Sequence, residues 1–154
     1  MEANLNIPAK NLTFFAPDTT ESLELLFVGT IKAGFPSPAD DFLETKIDMN
    51  KYMISHPSET FYAKVDGNSM QNAGIHDGDI MIIDRHKAIP AQDGKIYACY
   101  IDNEFTVKRV RIDSKTETVW LVPENDDYSP IEVTKENESF LIWGLVIGLV
   151  KKFK

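Results

Sequence analysis

The chain has 154 residues, 43% of them apolar and 26% charged, which suits one domain with its own core and excludes fibrous or wholly disordered chains. Sixteen basic against 24 acidic side chains leave a formal charge of −8, a poor balance for gripping nucleic-acid phosphates unaided, and the one dense basic cluster, "KKFK" at 151–154, reads as a solvated tail. No apolar run reaches about 18 residues and "MEANLNIPAKNLTFF" is no export leader, so no membrane span is expected, and the single cysteine, Cys99, suits a reducing cytoplasm.

Residues 1 to about 40 carry prolines at 7, 17, 36 and 38, an acidic "DTTESLE" and one short apolar run, Leu25 to Val28. Residues preceding proline are pushed toward extended backbone, so a flexible, partly extended, protease-accessible arm is expected over 1–40, with the folded body over 41–154. The next stretch, "ADDFLETKIDMNKYMISHP", has near-helical apolar spacing. It predicts one or two helical turns, capped by Asp40 or Asp41 and stopped by Pro57. From Thr60 onward, short β-branched and aromatic runs alternate with Gly, Asp and Asn. They predict strands over 60–66, 79–84, 95–102, 104–113, 118–124 and 139–153, with a tight hairpin at Asp102-Asn103. The fold class is therefore mainly β, an antiparallel sandwich or rolled barrel. The run "FLIWGLVIGLV" reads first as a core strand and second as an edge that a dimer interface could use.

The chemistry concentrates in "VDGNSMQNAGIHDGDIMIID", residues 65–84, where Ser69 follows a Gly67-Asn68 turn. Such a serine is a turn former or a nucleophile, and a nucleophile needs a neighbouring base. His56, His76 and His86 all fall in turn-like, polar contexts and read as surface residues. No His or Cys pair has ligand spacing, so no metal and no cofactor are expected. Lysine is the other candidate base, because burial lowers its pKa. Lys108 in "EFTVKRVRI" is the best placed. Alternation on that strand nevertheless sets Lys108 opposite Val107, on the face that alternation assigns to solvent.

A resemblance bears on that choice. "GNSMQNAGIHDGDIMIID" is similar to the nucleophile segment of the LexA/UmuD family of self-cleaving serine peptidases, and "GKIYACYIDNEFTVKRV" resembles the segment that delivers the family's lysine. "KAGFPSPADDFLETKIDMNKYMISHPSETFYAKV", "WLVPENDDYSPIEV" and "IWGLVIGLVKK" resemble its UmuD branch in particular, so that the likeness runs from about residue 25 to 152. It implies a rolled β fold like that of LexA and the signal peptidases. It also implies that Ser69 is the nucleophile and Lys108 the general base, with Gly67 and Met70 positioning the turn. Asn68 and Ser69 would supply oxyanion N–H donors, and Ala33-Gly34 would be the self-cleavage site, with Phe35 as an apolar anchor. Alanine stands where some UmuD proteins carry cysteine before that glycine. The 35 residues from Gly34 to Ser69 could span roughly 115 Å if extended, which permits cleavage in cis or in trans.

The resemblance further implies a cytoplasmic homodimer that a RecA filament on single-stranded DNA stimulates to cut itself, in the SOS response to DNA damage. The shortened form would be a subunit of an error-prone, UmuC-like Y-family polymerase engaged in translesion synthesis. No direct sequence-specific DNA binding is expected. A LexA-like repressor is disfavoured because the 33 residues before the junction show no two adjacent amphipathic helices. The alternative from another class is a non-catalytic β-fold interaction module in which Ser69 only shapes a turn.

Overall fold

The computed structural model describes residues 12–20, 22, 24–27, 33–34 and 45–153; the expected helix cap at Asp40 or Asp41, and Phe35, lie outside them. The chain divides into two compact units, Asp18–Ser55 on one hand and Met1–Pro17 with His56–Lys154 on the other.

The smaller unit holds β2 (Glu24–Phe27) paired antiparallel with β3 (Thr45–Asp48), followed by α1 (Met49–Met53). Within the stretch where helical turns were expected, the described residues hold a strand, Thr45–Asp48, and then a short helix, Met49–Met53. The helix starts at Asp48, whose carboxylate accepts the Asn50 N–H at 3.0 Å, and at five residues it is too short to stand without such a cap.

The larger unit is an eight-stranded antiparallel sheet built from β1 (Leu12–Phe15), β4 (Thr60–Val65), β5 (Ile80–Asp84), β6 (Ile96–Ile101), β7 (Glu104–Asp113), β8 (Thr118–Val122), β9 (Ile131–Val133) and β10 (Phe140–Val150). Their spatial order is β1-β4-β5-β10-β6-β7-β8-β9. Six strands fall where alternation predicted them. β1 and β9 are the extra strands, three or four residues long and too short for a period-2 pattern to register. β10 lies between β5 and β6, so its backbone is paired on both sides and offers no edge. It manages this with register shifts at Gly144 and Gly148, which let one long strand bend across the sheet.

The predicted hairpin joins β6 to β7. Asp102 and Asn103 adopt φ of +49° and +65°, the left-handed pair that a two-residue turn between twisted strands requires and that Asp and Asn tolerate. Both faces of β6 and β7 are covered. Phe105 and Val107 join Phe61, Ala63, Met81, Ile83 and Trp143 in one core cluster, and Val110 joins Tyr97, Cys99, Ile101 and Leu121 in a second. Burial of a side chain such as Phe105 contributes about 1.5–3 kcal/mol, so each cluster holds β7 firmly. This double coverage places Lys108 in the interior: Tyr97 stands opposite Lys108, and Cys99 opposite Thr106, so the face that simple alternation would leave wet is packed.

Candidate active site

Ser69 lies in the loop between β4 and β5. The base of the loop is closed by two backbone bonds, from Val65 N–H to Asp79 C=O at 2.9 Å and from Gly78 N–H to Val65 C=O at 2.8 Å. Gly67 takes φ of +106°, a region that side chains make costly, and its N–H donates to Asp77 Oδ1 at 2.8 Å. A 3-10 turn, Gln71–Ala73, follows and ends at Gly74 with φ of +82°. Between them Met70, buried to 3% exposure, anchors the turn in the first core cluster. Glycine at both ends and an apolar residue in the middle are what a sharp turn that must also be immobile demands.

A second segment clamps the turn. Glu124 N–H donates to Ser69 C=O and Asn72 N–H to Glu124 C=O, each at 2.8 Å. The buried Asn125 side chain donates from Nδ2 to Asn68 C=O at 2.8 Å. Glu124 is held in turn by an ion pair with Arg109, whose Nη1 donates to Gly94 C=O at 2.7 Å. The carbonyls of Asn68 and Ser69 are thus occupied. Their N–H groups have no acceptor among the described residues, the condition in which a pair of backbone donors can receive a developing oxyanion.

Lys108 reaches the same point from β7. It is buried to 7% exposure, and its Nζ lies 3.0 Å from Ser69 Oγ, 2.7 Å from Thr106 Oγ1 and 3.0 Å from Val107 C=O. Burial disfavours the charged form and brings the amine from 10.5 down to about 8. A thiolate at Cys99 would oppose this, but burial pushes that thiol up to about 12, so it is neutral wherever the lysine titrates. The three contacts serve both protonation states. An ammonium donates to all three oxygens; a neutral amine donates to Thr106 and Val107 and turns its lone pair to the Ser69 hydroxyl. A proton can therefore pass between Ser69 and Lys108 without rearrangement.

Ser69 and Lys108 open onto a cleft of about 240 Å³, walled by Val65, Met70, Ile75, Val107 and Tyr128. Small-molecule pockets run to about 300–1,000 Å³. A smaller slot beside a turn suits an extended backbone with small side chains.

The structure brings together Gly67, Asn68, Ser69, Met70 and Lys108. Ala33 and Gly34 belong to the Asp18–Ser55 unit, and both are exposed. None of the three histidines lines the cleft. They are less idle than their loop contexts suggested: His56 Nδ1 meets the buried Asp84 carboxylate at 2.7 Å, His86 Nδ1 meets Glu59 at 2.8 Å, and His76 Nδ1 is 3.0 Å from Lys151 Nζ. Lys151, expected in a solvated tail, is also paired with Asp79. Among the described residues no group of three or more His, Cys, Asp or Glu could hold a metal ion, and no helix is long and apolar enough to cross a membrane. Sequence reasoning missed Thr106, Glu124 and Asn125. Thr106, two residues from Lys108 on the same strand face, carried a usable signal; the contacts that Glu124 and Asn125 make to the turn bridge more than 50 residues and carried none.

The model of the Peptidase S24-like family matches residues 26–147. Protein MucA of Salmonella typhimurium is 38% identical over 120 residues, covering 78% of this chain and 79% of that protein. Protein ImpA of Shigella flexneri is 39% identical over 127 residues, covering 82% and 83%. The LexA repressor of Acidithiobacillus ferrooxidans (strain ATCC 53993 / BNL-5-31) is 37% identical over 131 residues, which are 85% of this chain but 62% of the repressor.

Proposed function

The chain belongs to the Peptidase S24-like family of self-cleaving serine peptidases, on its UmuD branch, and from that premise we propose that it cuts its own backbone between Ala33 and Gly34 with a Ser69-Lys108 dyad. The observation that carries the reading is the buried Lys108 Nζ at 3.0 Å from Ser69 Oγ. With a pKa of about 8, about a fifth of the molecules hold a neutral amine at pH 7.4, against about one in a thousand for an unperturbed lysine.

In the proposed reaction the neutral Lys108 amine takes the Ser69 proton as Oγ attacks the Ala33 carbonyl carbon. The N–H groups of Asn68 and Ser69 receive the negative oxygen of the tetrahedral intermediate. Lys108 then returns the proton to the Gly34 nitrogen, the Ala33-Gly34 bond breaks, and an ester joins Ser69 to Ala33. Water, deprotonated by the same amine, attacks this ester, which leaves a carboxylate on Ala33 and restores the serine. Gly67 and Met70 fix the turn, and the small side chain and the glycine at the junction let the substrate strand lie close to it.

The relatives MucA and ImpA support extending this reading to the SOS response. We place the protein in the cytoplasm as a homodimer, self-cleaved when a RecA filament on single-stranded DNA promotes the reaction. The processed form joins a UmuC-like Y-family polymerase for translesion synthesis. The arm ahead of the junction and the β domain behind it are the two working parts, and cleavage changes which surfaces are exposed. The test is incubation of the purified chain with RecA, single-stranded DNA and nucleotide, followed by mass measurement. A fragment beginning at Gly34 is expected, and Ser69→Ala and Lys108→Ala should remain folded and whole. Processing of either variant at the same bond would overturn the assignment.

A further inference from the structure

The self-cleavage reading leaves open what happens to the piece ahead of the junction once the bond is cut. Both described strands ahead of Ala33-Gly34 pair with strands behind it: β1 with β4, in the register Leu12↔Val65 to Phe15↔Tyr62, and β2 with β3. A severed peptide bond removes none of these hydrogen bonds.

The β1 pairing has an anchor. Phe14 stands opposite Ala63, the smallest side chain on β4 and fully buried. The methyl group leaves a slot that the Phe14 ring fills, 4.9 Å from the Phe105 ring and 4.7 Å from the Trp143 ring. Phe61 and Trp143 close the other side, their rings 5.4 Å apart. Aromatic contacts of this kind add about 0.5–1.5 kcal/mol each beyond the area they bury. The next residue, Phe15, is 51% exposed, so one ring goes in and one stays out, as strand alternation requires. β1 is also an end strand of the sheet. Without it, β4 would present a row of unpaired backbone groups beside an open aromatic slot, and this strand runs directly into the loop that carries Ser69.

We propose that Leu12–Phe15 is a docked strand ligand of the β domain, with Phe14 as its anchor. The amino-terminal piece stays bound after the cut, and its departure is a second, separate step. Cleavage then arms the molecule, and loss of β1 completes the change by freeing the β4 edge. The occupant of that edge is the chain's own Leu12–Phe15 segment.

This inference rests on the proposed junction but can be tested apart from self-cleavage. In the full-length Ser69→Ala chain, a recognition sequence for an added protease is placed at Ala33-Gly34, and the amino terminus carries a fluorescent label. After the cut, the label should co-elute with the large fragment in gel filtration. Phe14→Ala should raise the rate of label release by at least about tenfold, as truncating a packed aromatic ring implies, and Phe14→Tyr should stay near the parent. As a check on folding, Phe14→Leu should release the label at an intermediate rate. Immediate loss of the label from the parent chain, or Phe14→Ala release no faster than the parent, would overturn the proposal. Failure of self-cleavage would touch neither outcome.

Discussion

Replacing Lys108 with methionine, which keeps the length of the side chain and deletes its charge, should change how stability depends on pH. In the unfolded chain the amine titrates near 10.5 and in the folded chain near 8. Between those values the unfolded state binds more protons, so stability rises with pH across that window and is level, for this group, on either side. A difference of about 2.5 units, at about 1.36 kcal/mol each, makes the rise about 3 kcal/mol. The Lys108→Met chain lacks it. Denaturant unfolding from pH 6 to pH 11, with both chains carrying Ser69→Ala so that they stay whole, gives the stability of parent minus variant at each pH. Other titrations cancel in that difference. It should climb by about 3 kcal/mol between pH 8 and 10.5. A flat difference, or one that falls, would refute a desolvated amine at this site.

Three further outcomes follow from the packing. A methyl group at Gly144 would sit 2.5 Å from Ile83 Cγ2, so Gly144→Ala should cost about 1–3 kcal/mol by chemical denaturation, and Ile83→Ala should cost less in that background than alone. Asn125→Ala removes the donor that holds Asn68 C=O; it should lower stability by about 1–2 kcal/mol and slow self-cleavage by at least about tenfold, read on a gel time course. The fully buried Cys99, with its thiol pushed up to about 12, should react with a thiol reagent at pH 8 only as fast as the chain unfolds, and prompt labelling of the native protein would contradict that.

How far the residues announced this structure depends on the range of the contacts involved. The strands from β4 to β8, and β10, were legible because period-2 alternation is local, and the Asp102-Asn103 turn because two adjacent residues decide it. β1 escaped notice because its register comes from Phe14 entering a slot built by Ala63, Phe105 and Trp143, all distant in sequence. Over Thr45–Asp48 the helical spacing misled for a similar reason: that stretch pairs with β2, a partner that spacing cannot see. At the site, Ser69 and its glycines stood out by composition. The environment of Lys108 did not, since alternation assumes one wet face and β7 has none at that point. The residues offered Lys108 as the best-placed base, but only the likeness to a known family outweighed the wet-face reading, and the clamp from Glu124 and Asn125 had no local signal of its own.

The most direct test of the central claim is the rate of self-cleavage of the intact chain as a function of pH, without RecA. If a neutral Lys108 is the base, the rate should rise tenfold per unit at low pH and level off above an apparent pKa near 8, with Lys108→Ala inactive throughout. A rate independent of pH between 6 and 10, or a Lys108→Ala chain that follows the same curve, would contradict it.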